Sequence, residues 1–116
     1  MQGDVQLSEP EFLYLNTRGR KSGRIHRIEI WFVHHGEKYY ILSELGEEAD
    51  WVRNIKQNAK VQFSVGEETF DGMGRLVDSN GETKLVKQVS SLMQAKNGWS
   101  DGLIVELQSN RNLPGY

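Results

Sequence analysis

Six short segments rich in β-branched and aromatic residues predict six β-strands. They are Phe12–Thr17, Ile25–His34, Lys38–Ser43, Lys60–Val65, Glu68–Val77 and Gly102–Ser109. Two further segments repeat apolar residues at helical spacing, which predicts helices over Glu47–Asn58 and Glu82–Lys96. Because hairpins dominate the order of elements, the pattern favours a mainly β (α+β) fold. We expect a small six-stranded barrel or strongly bent sheet with two helices, in a single domain over residues 1–116.

The longest predicted strand is apolar on both faces near its end. Ile28, Ile30 and Phe32 share one face, and Trp31 and Val33 share the other. One face can fill a barrel, and the other needs a cover. We predict that a second copy of the chain covers it, in a homodimer whose interface includes Trp31. A helix of the same chain is the alternative cover.

The composition excludes several kinds of protein. The chain has no cysteine, so disulfides, zinc fingers and thiol catalysis are ruled out. No apolar run approaches the length of a membrane span. Residues 1–10 are polar and acidic, unlike a signal peptide. We therefore expect a cytoplasmic protein.

Positive charge is concentrated in residues 18–27, which read Arg-Gly-Arg-Lys-Ser-Gly-Arg-Ile-His-Arg and are called the basic segment below. The segment holds five of the 14 Lys and Arg residues and no acid, although the whole chain carries a net charge of -2. Like charges repel when they are crowded, and the usual reason for tolerating this is a bound anion. Gly19 and Gly23 allow the backbone to curl into a nest of N–H groups, and Ser22 adds a hydroxyl donor. The basic segment is therefore predicted to bind phosphate.

Two other interpretations of the basic segment are open. It could be a solvated turn, or it could bind nucleic acid. Nucleic-acid domains usually spread positive charge along a face and add exposed aromatic residues, whereas here the charge is local and the pI is about 5.9. A compact phosphate ester fits better. His26 is either a half-buried strand residue or a ligand contact.

Familiar catalytic motifs are missing from the sequence. A Walker A loop needs glycine directly before its lysine, and Arg20 stands there instead. There is no Gly-x-Ser-x-Gly elbow. His34 and His35 are neighbours on a strand, so they point to opposite faces and do not chelate a metal together. Any redox chemistry must then come from a bound cofactor.

Five stretches resemble a known family when they are taken in order. They are Thr17-Arg-Gly-Arg-Lys-Ser-Gly-Arg, His26-Arg-Ile-Glu-Ile-Trp-Phe, Tyr40-Ile-Leu-Ser, Asp50-Trp-Val-Arg-Asn-Ile and Asn58-Ala-Lys-Val. Together they resemble the deazaflavin-dependent nitroreductases, which are split β-barrel proteins related in fold to the pyridoxamine phosphate oxidases. The resemblance implies a homodimer of six-stranded split β-barrels that binds the deazaflavin coenzyme F-420. It also implies hydride transfer to quinones, nitroaromatics and similar electron-poor acceptors.

The resemblance also implies roles for particular residues. The phosphate-binding loop corresponds to Arg20, Lys21, Ser22 and Gly23. Trp51 and Asn54 match a Trp-x-x-Asn motif that borders the cofactor, and Ser43 matches a serine near its ring. His26 or Arg27 stands in place of a contact that the family makes through a proline followed by arginine. Ser43, or Tyr39 or Tyr40 nearby, is expected to donate a hydrogen bond or a proton to the acceptor.

The chain departs from the family pattern after Ser43. Glu44 stands where the family often has lysine or glycine, and Glu47 and Glu48 follow. These acids would repel an anionic cofactor, which keeps FMN, or no cofactor, as alternatives. A non-enzymatic module that stores a flavin or haem on the same barrel is the alternative function.

Overall fold

A computed structural model describes residues 10–112 of the chain, and in it six antiparallel strands close into a barrel. The strands are β1 (Phe12–Arg18), β2 (Ile25–His35), β3 (Lys38–Ser43), β4 (Lys60–Val65), β5 (Glu68–Leu76) and β6 (Leu103–Ser109). The helices are α1 (Asp50–Gln57) and α2 (Thr83–Asn97). Around the barrel the strands lie in the order β1-β2-β3-β6-β5-β4. The predicted fold class, a mainly β six-stranded barrel with two helices, is confirmed.

The predicted bounds of every strand and of α2 agree with the structure to within one residue, but the first helix begins later than predicted. Residues Gly46–Glu48 form a separate 3-10 turn. Ala49 is then extended, with φ −65° and ψ 137°, and its carbonyl accepts the N–H groups of Val52 and Arg53. The helix therefore starts at Asp50, because Ala49 turns the chain inward and is buried in the barrel core.

The first core fills the barrel. It is built from inward-facing strand residues and from the apolar face of α1, which closes one end: Leu13, Leu15, Phe32, Ile41, Ala49, Val52, Ile55, Val61, Phe63, Phe70, Val105 and Leu107. Aromatic packing at its centre is dense, with the rings of Phe63 and Phe70 5.2 Å apart. Gly74 lets α1 approach, because a Cβ at that position would lie 3.1 Å from the Ile55 Cδ1 atom.

The second core lies outside the barrel, between α2 and the outer faces of β2, β3 and β6. It contains Val33, Tyr40, Leu42, Val77, Val89, Met93 and Ile104. Val33 is thus covered by a helix of its own chain. Trp31 packs in the same chain against Phe12 and Trp99, at ring distances of 6.4 and 6.5 Å. At Val33 the alternative cover is the one observed, a helix of the same chain, because the amphipathic face of α2 packs there in place of the expected second copy.

A charged network fastens the start of α2 to the barrel. The Arg75 guanidinium donates to both carboxylate oxygens of Glu82, at 2.8 and 2.9 Å, and to both oxygens of Glu106, at 3.1 and 3.2 Å. Tyr40 also donates its hydroxyl to Glu106, at 2.9 Å. Glu82 in addition accepts the backbone N–H of Asp78. Hydrogen bonds from Arg75 and from the Asp78 backbone lower the pKa of Glu82 to about 2.

Acid should weaken this network in a defined pH window. Because the folded-state pKa of Glu82 is depressed, its contribution to stability is complete above the ordinary glutamate range and is lost as pH falls from about 5 towards 2. We expect Tm to fall over that window and Glu82→Gln to flatten the fall. Thermal unfolding at pH 7, 5, 4 and 3 measures it, with Glu67→Gln, in the exposed β4–β5 turn, as control. A variant that loses Tm as steeply as the wild type would contradict the assignment.

No helix within residues 10–112 is both long enough and apolar enough to cross a membrane.

Candidate functional site

Two cavities of about 480 Å³ each lie side by side where β2 and β3 separate. The β2–β3 ladder runs only from Phe32 paired with Ile41 to His35 paired with Lys38. Beyond it, the first half of β2 continues along β1 while β3 ends at Ser43. The start of α1 lies in this gap. It divides the gap, because Asp50 and Asn54, one turn apart, line one cavity while Trp51 lines the other.

Most residues of the basic segment line the first cavity, which is called the basic cavity below. It is lined by Gly19, Arg20, Lys21, Ser22, His26, Arg27, Ile28, Asp50 and Asn54. The structure thus brings together six of the predicted cofactor-binding residues. Gly23 lies in the same loop but does not line the cavity. Arg18 and Arg24 point elsewhere: Arg18 donates to the Gly23 carbonyl at 2.6 Å, and Arg24 is exposed.

Glycines shape the loop of the basic cavity. Gly23 has φ +75°, a left-handed conformation that other residues adopt only at a cost. Gly19 is required for a different reason. A Cβ there would lie 2.6 Å from His26 Nε2 and 2.9 Å from the Ser22 hydroxyl oxygen, so the imidazole packs directly on the glycine. This contact places His26 at the cavity wall.

The N–H groups of the two loop glycines are bonded within the loop and so do not contribute to the predicted nest. The Gly19 N–H donates to the Arg24 carbonyl at 2.7 Å, and the Gly23 N–H donates to the Gly19 carbonyl at 2.9 Å. The Arg20 N–H donates to Asn54, and the Arg24 N–H donates to Ser22. Four of the loop's N–H groups are therefore bonded within the protein: three to the loop and that of Arg20 to Asn54 on α1. A bound anion would then be held mainly by side chains, above all by the cationic ones.

Asn54 is the residue that fixes the loop to the barrel. Its side chain is 3% exposed. Its Oδ1 accepts both the Arg20 backbone N–H, at 3.1 Å, and the Arg20 guanidinium, at 3.0 Å. Its Nδ2 donates to the buried Thr17 hydroxyl at 3.1 Å. Both acceptor positions of Oδ1 and one of the two Nδ2 hydrogens are thereby used within the protein, and the amide orients Arg20.

Asp50 is a site residue that the sequence reasoning missed. Its carboxylate lies 3.4 Å from the Arg20 guanidinium, in an exposed ion pair. The sequence did contain a reason to expect an acid near the start of this helix, since an acid in the first helical turn complements the helix dipole. It faces the basic cavity only because α1 begins at Asp50 and not three residues earlier.

The second cavity, called the aromatic cavity, contains all three tryptophans of the chain. Trp31 comes from β2, Trp51 from α1, and Trp99 from the loop after α2. The remaining lining is Phe12, Glu29, Ile30, Leu42, Ser43, Glu44, Leu45, Ala49 and Met93. The convergence of Trp31 and Trp99 was not predicted, because the residues are far apart in sequence and meet only through the packing of α2.

Ser43 lies at the floor of the aromatic cavity and is 2% exposed. Its hydroxyl donates to the Gly46 carbonyl at 2.8 Å and so ties down the 3-10 turn. The oxygen keeps its lone pairs, but the proton is engaged in this bond. Any donation to a bound molecule would require the hydroxyl to turn away from Gly46.

Tyr39 and Tyr40 do not line either cavity, contrary to the expectation that one of them could act there. Tyr39 points into the barrel, where its ring lies 5.4 Å from that of Phe63. Tyr40 points outward and donates to Glu106. Burial in the second core and its bond to Glu106 raise the pKa of Tyr40. Both tyrosines are therefore packing residues.

The two neighbouring histidines point to opposite faces, as predicted. His34 stacks on the Tyr39 ring at 4.5 Å, and the His35 ring lies 3.2 Å from the Gln88 side-chain oxygen. Within residues 10–112, no group of three potential ligand side chains is placed to hold a metal ion.

The closed six-stranded barrel with its two helices defines a class of protein, the split β-barrels. The model of one family, the F420H(2)-dependent quinone reductases, matches residues 2–101. The chain belongs to this family, whose cofactor is F-420 in its reduced form. A search among curated proteins finds no relative that matches the chain.

Solved structures share the fold. The haem storage protein HutZ from Vibrio cholerae superposes with a TM-score of 0.67 at 21% identity, covering 94% of this chain and 89% of its own. The F420-H2 dependent reductase FDR-A gives 0.61 at 21% identity, covering 84% and 94%. A candidate pyridoxamine 5'-phosphate oxidase from Listeria innocua gives 0.68 at 12% identity, covering 87% and 85%. Identities this low establish the fold alone.

The residues present fit a cofactor of this kind. The basic cavity offers three cations, Arg20, Lys21 and Arg27, where a phosphate needs them. The adjoining aromatic cavity is lined by three indoles, which suit contact with a flat ring. Its volume lies within the usual range of small-molecule sites.

Proposed function

We propose that the protein is a reductase that uses reduced F-420 to reduce quinones, nitroaromatics or similar electron-poor aromatic molecules. The observation that carries this proposal is the meeting of a cationic cavity and a tryptophan-lined cavity at the start of α1. The first suits a phosphate and the second suits flat rings. When bound, reduced F-420 supplies a hydride.

The cofactor-binding residues we propose are Arg20, Lys21, Ser22, Gly23, His26, Arg27, Trp51 and Asn54. The three cations neutralise the phosphate. Ser22 accepts the Arg24 N–H through its oxygen, so its own O–H proton can be donated to the phosphate. Gly23 gives the loop its turn, and Asn54 acts by holding Arg20 in place.

We propose that the aromatic cavity holds the reacting ring and the acceptor. Trp51 lines this cavity from α1, the helix that divides the two cavities, and we propose that its ring borders the deazaflavin. A flat molecule bound against the aromatic lining would displace water, and this would strengthen any hydrogen bond to the negative charge that grows on an acceptor oxygen. Ser43 is the hydroxyl we propose for that bond.

A turnover assay tests the proposal. The pure protein is mixed with reduced F-420 and menadione, and oxidation of the cofactor is followed by absorbance. Menadione-dependent oxidation that exceeds the protein-free rate supports a reductase. The alternative is a non-enzymatic module that stores FMN or haem, and the neighbour HutZ is described as a haem storage protein. Retention of a ligand through gel filtration without turnover would favour that alternative.

Ser43→Ala should lower turnover while leaving cofactor binding nearly intact. A full oxyanion donor contributes about 10²–10³ in kcat. We expect about a tenfold loss here, because the Ser43 proton is shared with the Gly46 carbonyl. Steady-state kinetics at saturating cofactor measure it, beside Ser91→Ala on the exposed face of α2. If kcat equals that of the wild type at equal cofactor occupancy, Ser43 serves only the turn.

We also propose that the protein is a homodimer in the cytoplasm. One solved neighbour, 17% identical with a TM-score of 0.63, is described as a domain-swapped dimer. The exposed outer face of β1 and β2, with Tyr14 and Ile25, is available for such a contact. Sedimentation at micromolar concentration should give about twice the chain mass of 13.3 kDa, and a clean monomer would refute the dimer.

A further inference from the structure

The aromatic cavity differs from the basic cavity in the sign of its charge. Its charged lining residues within residues 10–112 are both acids, Glu29 and Glu44, and no lysine or arginine lines it. The basic cavity instead holds three cations and one acid. The protein therefore presents opposite charges to the two halves of its site.

The two acids are placed differently. Glu29 lies on β2, and its carboxylate accepts the Tyr14 hydroxyl at 2.9 Å, which orients it. Glu44 directly follows Ser43 and is exposed. Both residues line the aromatic cavity.

We infer that Glu29 and Glu44 make the aromatic cavity select neutral or cationic aromatic acceptors and reject anionic ones. Carboxylates at the mouth of a cleft with apolar walls raise the local concentration of cations and lower that of anions. Indole faces add to the preference, since a cation over tryptophan is attracted by the ring. This inference rests on the proposed function and specifies its substrate class.

The reaction balances for such an acceptor. A neutral quinone gains one hydride and one proton and becomes the hydroquinone, while reduced F-420 would give up one hydride and one proton and become oxidised F-420. A sulfonate or carboxylate on the acceptor takes no part in this balance. It would only bring a fixed negative charge into a cavity lined by Glu29 and Glu44.

Three naphthoquinones that differ in charge test the inference: menadione, 1,4-naphthoquinone-2-sulfonate, and a 1,4-naphthoquinone that carries a trimethylammoniomethyl group. Binding is read from quenching of tryptophan fluorescence, because all three tryptophans line this cavity. Relative to the neutral quinone, we expect about tenfold weaker binding of the sulfonate at low salt and no weakening for the cation. The difference should shrink in 0.5 M salt.

The double variant Glu29→Gln/Glu44→Gln supplies the decisive comparison. Relative to menadione, it should bind the sulfonate about tenfold more tightly than the wild type does. Glu67→Gln/Glu68→Gln changes the net charge equally in the β4–β5 region and should leave this ratio unchanged. Titrations repeated in excess inorganic phosphate exclude sulfonate bound in the basic cavity.

The two proposals fail in distinguishable ways. If no quinone is turned over with reduced F-420, the reductase proposal fails, while the titrations still measure the charge preference. If the wild type binds the sulfonate as tightly as menadione, or the double variant leaves their ratio unchanged, the charge selection is overturned.

Discussion

Replacing both Arg20 and Lys21 by alanine is expected to weaken F-420 binding about a hundredfold. Hydrogen bonds to charged groups each contribute about 1.5–3 kcal/mol, and the exposed Lys21 should lie at the lower end of that range. Two such bonds give about 3 kcal/mol, which is about two factors of ten in Kd. Side chains carry this term because four loop amides are already engaged within the protein. Fluorescence titration with the cofactor measures it.

Two controls accompany this experiment: a variant that loses the same charge at another place, and a titration at high salt. Lys84→Ala/Lys87→Ala removes the same charge from exposed positions on α2 and should leave Kd within about twofold. The loss in the Arg20 and Lys21 variant should shrink at high salt, since screening already weakens the wild-type contacts. An unchanged Kd would remove the basic cavity from cofactor binding.

The reciprocal change addresses Asp50. Its carboxylate pairs with the Arg20 guanidinium and would lie beside a bound phosphate. Asp50→Asn should therefore tighten cofactor binding by a few-fold in the same titration. Weaker binding would show that Asp50 serves mainly to hold Arg20 in position.

The elements of the fold could be predicted from sequence because their signals are local. Alternation along β4, turn residues between strands, and the helical stripe of α2 each depend on a few adjacent residues. The basic segment could also be recognised from the sequence, since five cations without an acid stand out in an acidic chain. The local signals were enough to predict the barrel, and the charge pattern was enough to predict which loop would carry the cations.

What could not be predicted depends on contacts between distant parts of the chain. The start of α1 was misplaced because burial of Ala49 in the barrel, and not propensity, ends the preceding turn. The cover over Val33 was misassigned because the sequence gives the apolar face of α2 but not where it docks. The aromatic cavity was missed in the same way, since Trp99 reaches Trp31 only through that docking.

Asn54 was predicted from a motif to border the cofactor, and the structure shows what its side chain contacts within the protein. The resemblance implied that it borders the cofactor, and it does line the basic cavity. The three hydrogen bonds of its amide are nevertheless made to Arg20 and Thr17. We therefore expect its role to be to position the loop, with consequences for both stability and affinity.

Asn54→Ala is accordingly expected to lower the free energy of unfolding by about 3 kcal/mol. The change leaves the buried Thr17 hydroxyl and the Arg20 N–H without their partner, and each unsatisfied buried group costs about 1–3 kcal/mol. For a domain of this size the corresponding fall in Tm is about 10 °C. Denaturant unfolding, with the slope m checked for constancy, measures the free energy.

The cofactor affinity of the same variant should fall as well, because Arg20 loses the contact that orients it. Asn58→Ala, at the end of the same helix, is the matched control and should cost well under 1 kcal/mol, since Asn58 makes its side-chain bond to the exposed Lys60 N–H. In a double-mutant cycle, Thr17→Val and Asn54→Ala should be non-additive, because they remove the two ends of one hydrogen bond. Stability unchanged in Asn54→Ala, or full additivity in the cycle, would show that the amide does not hold the loop to the barrel.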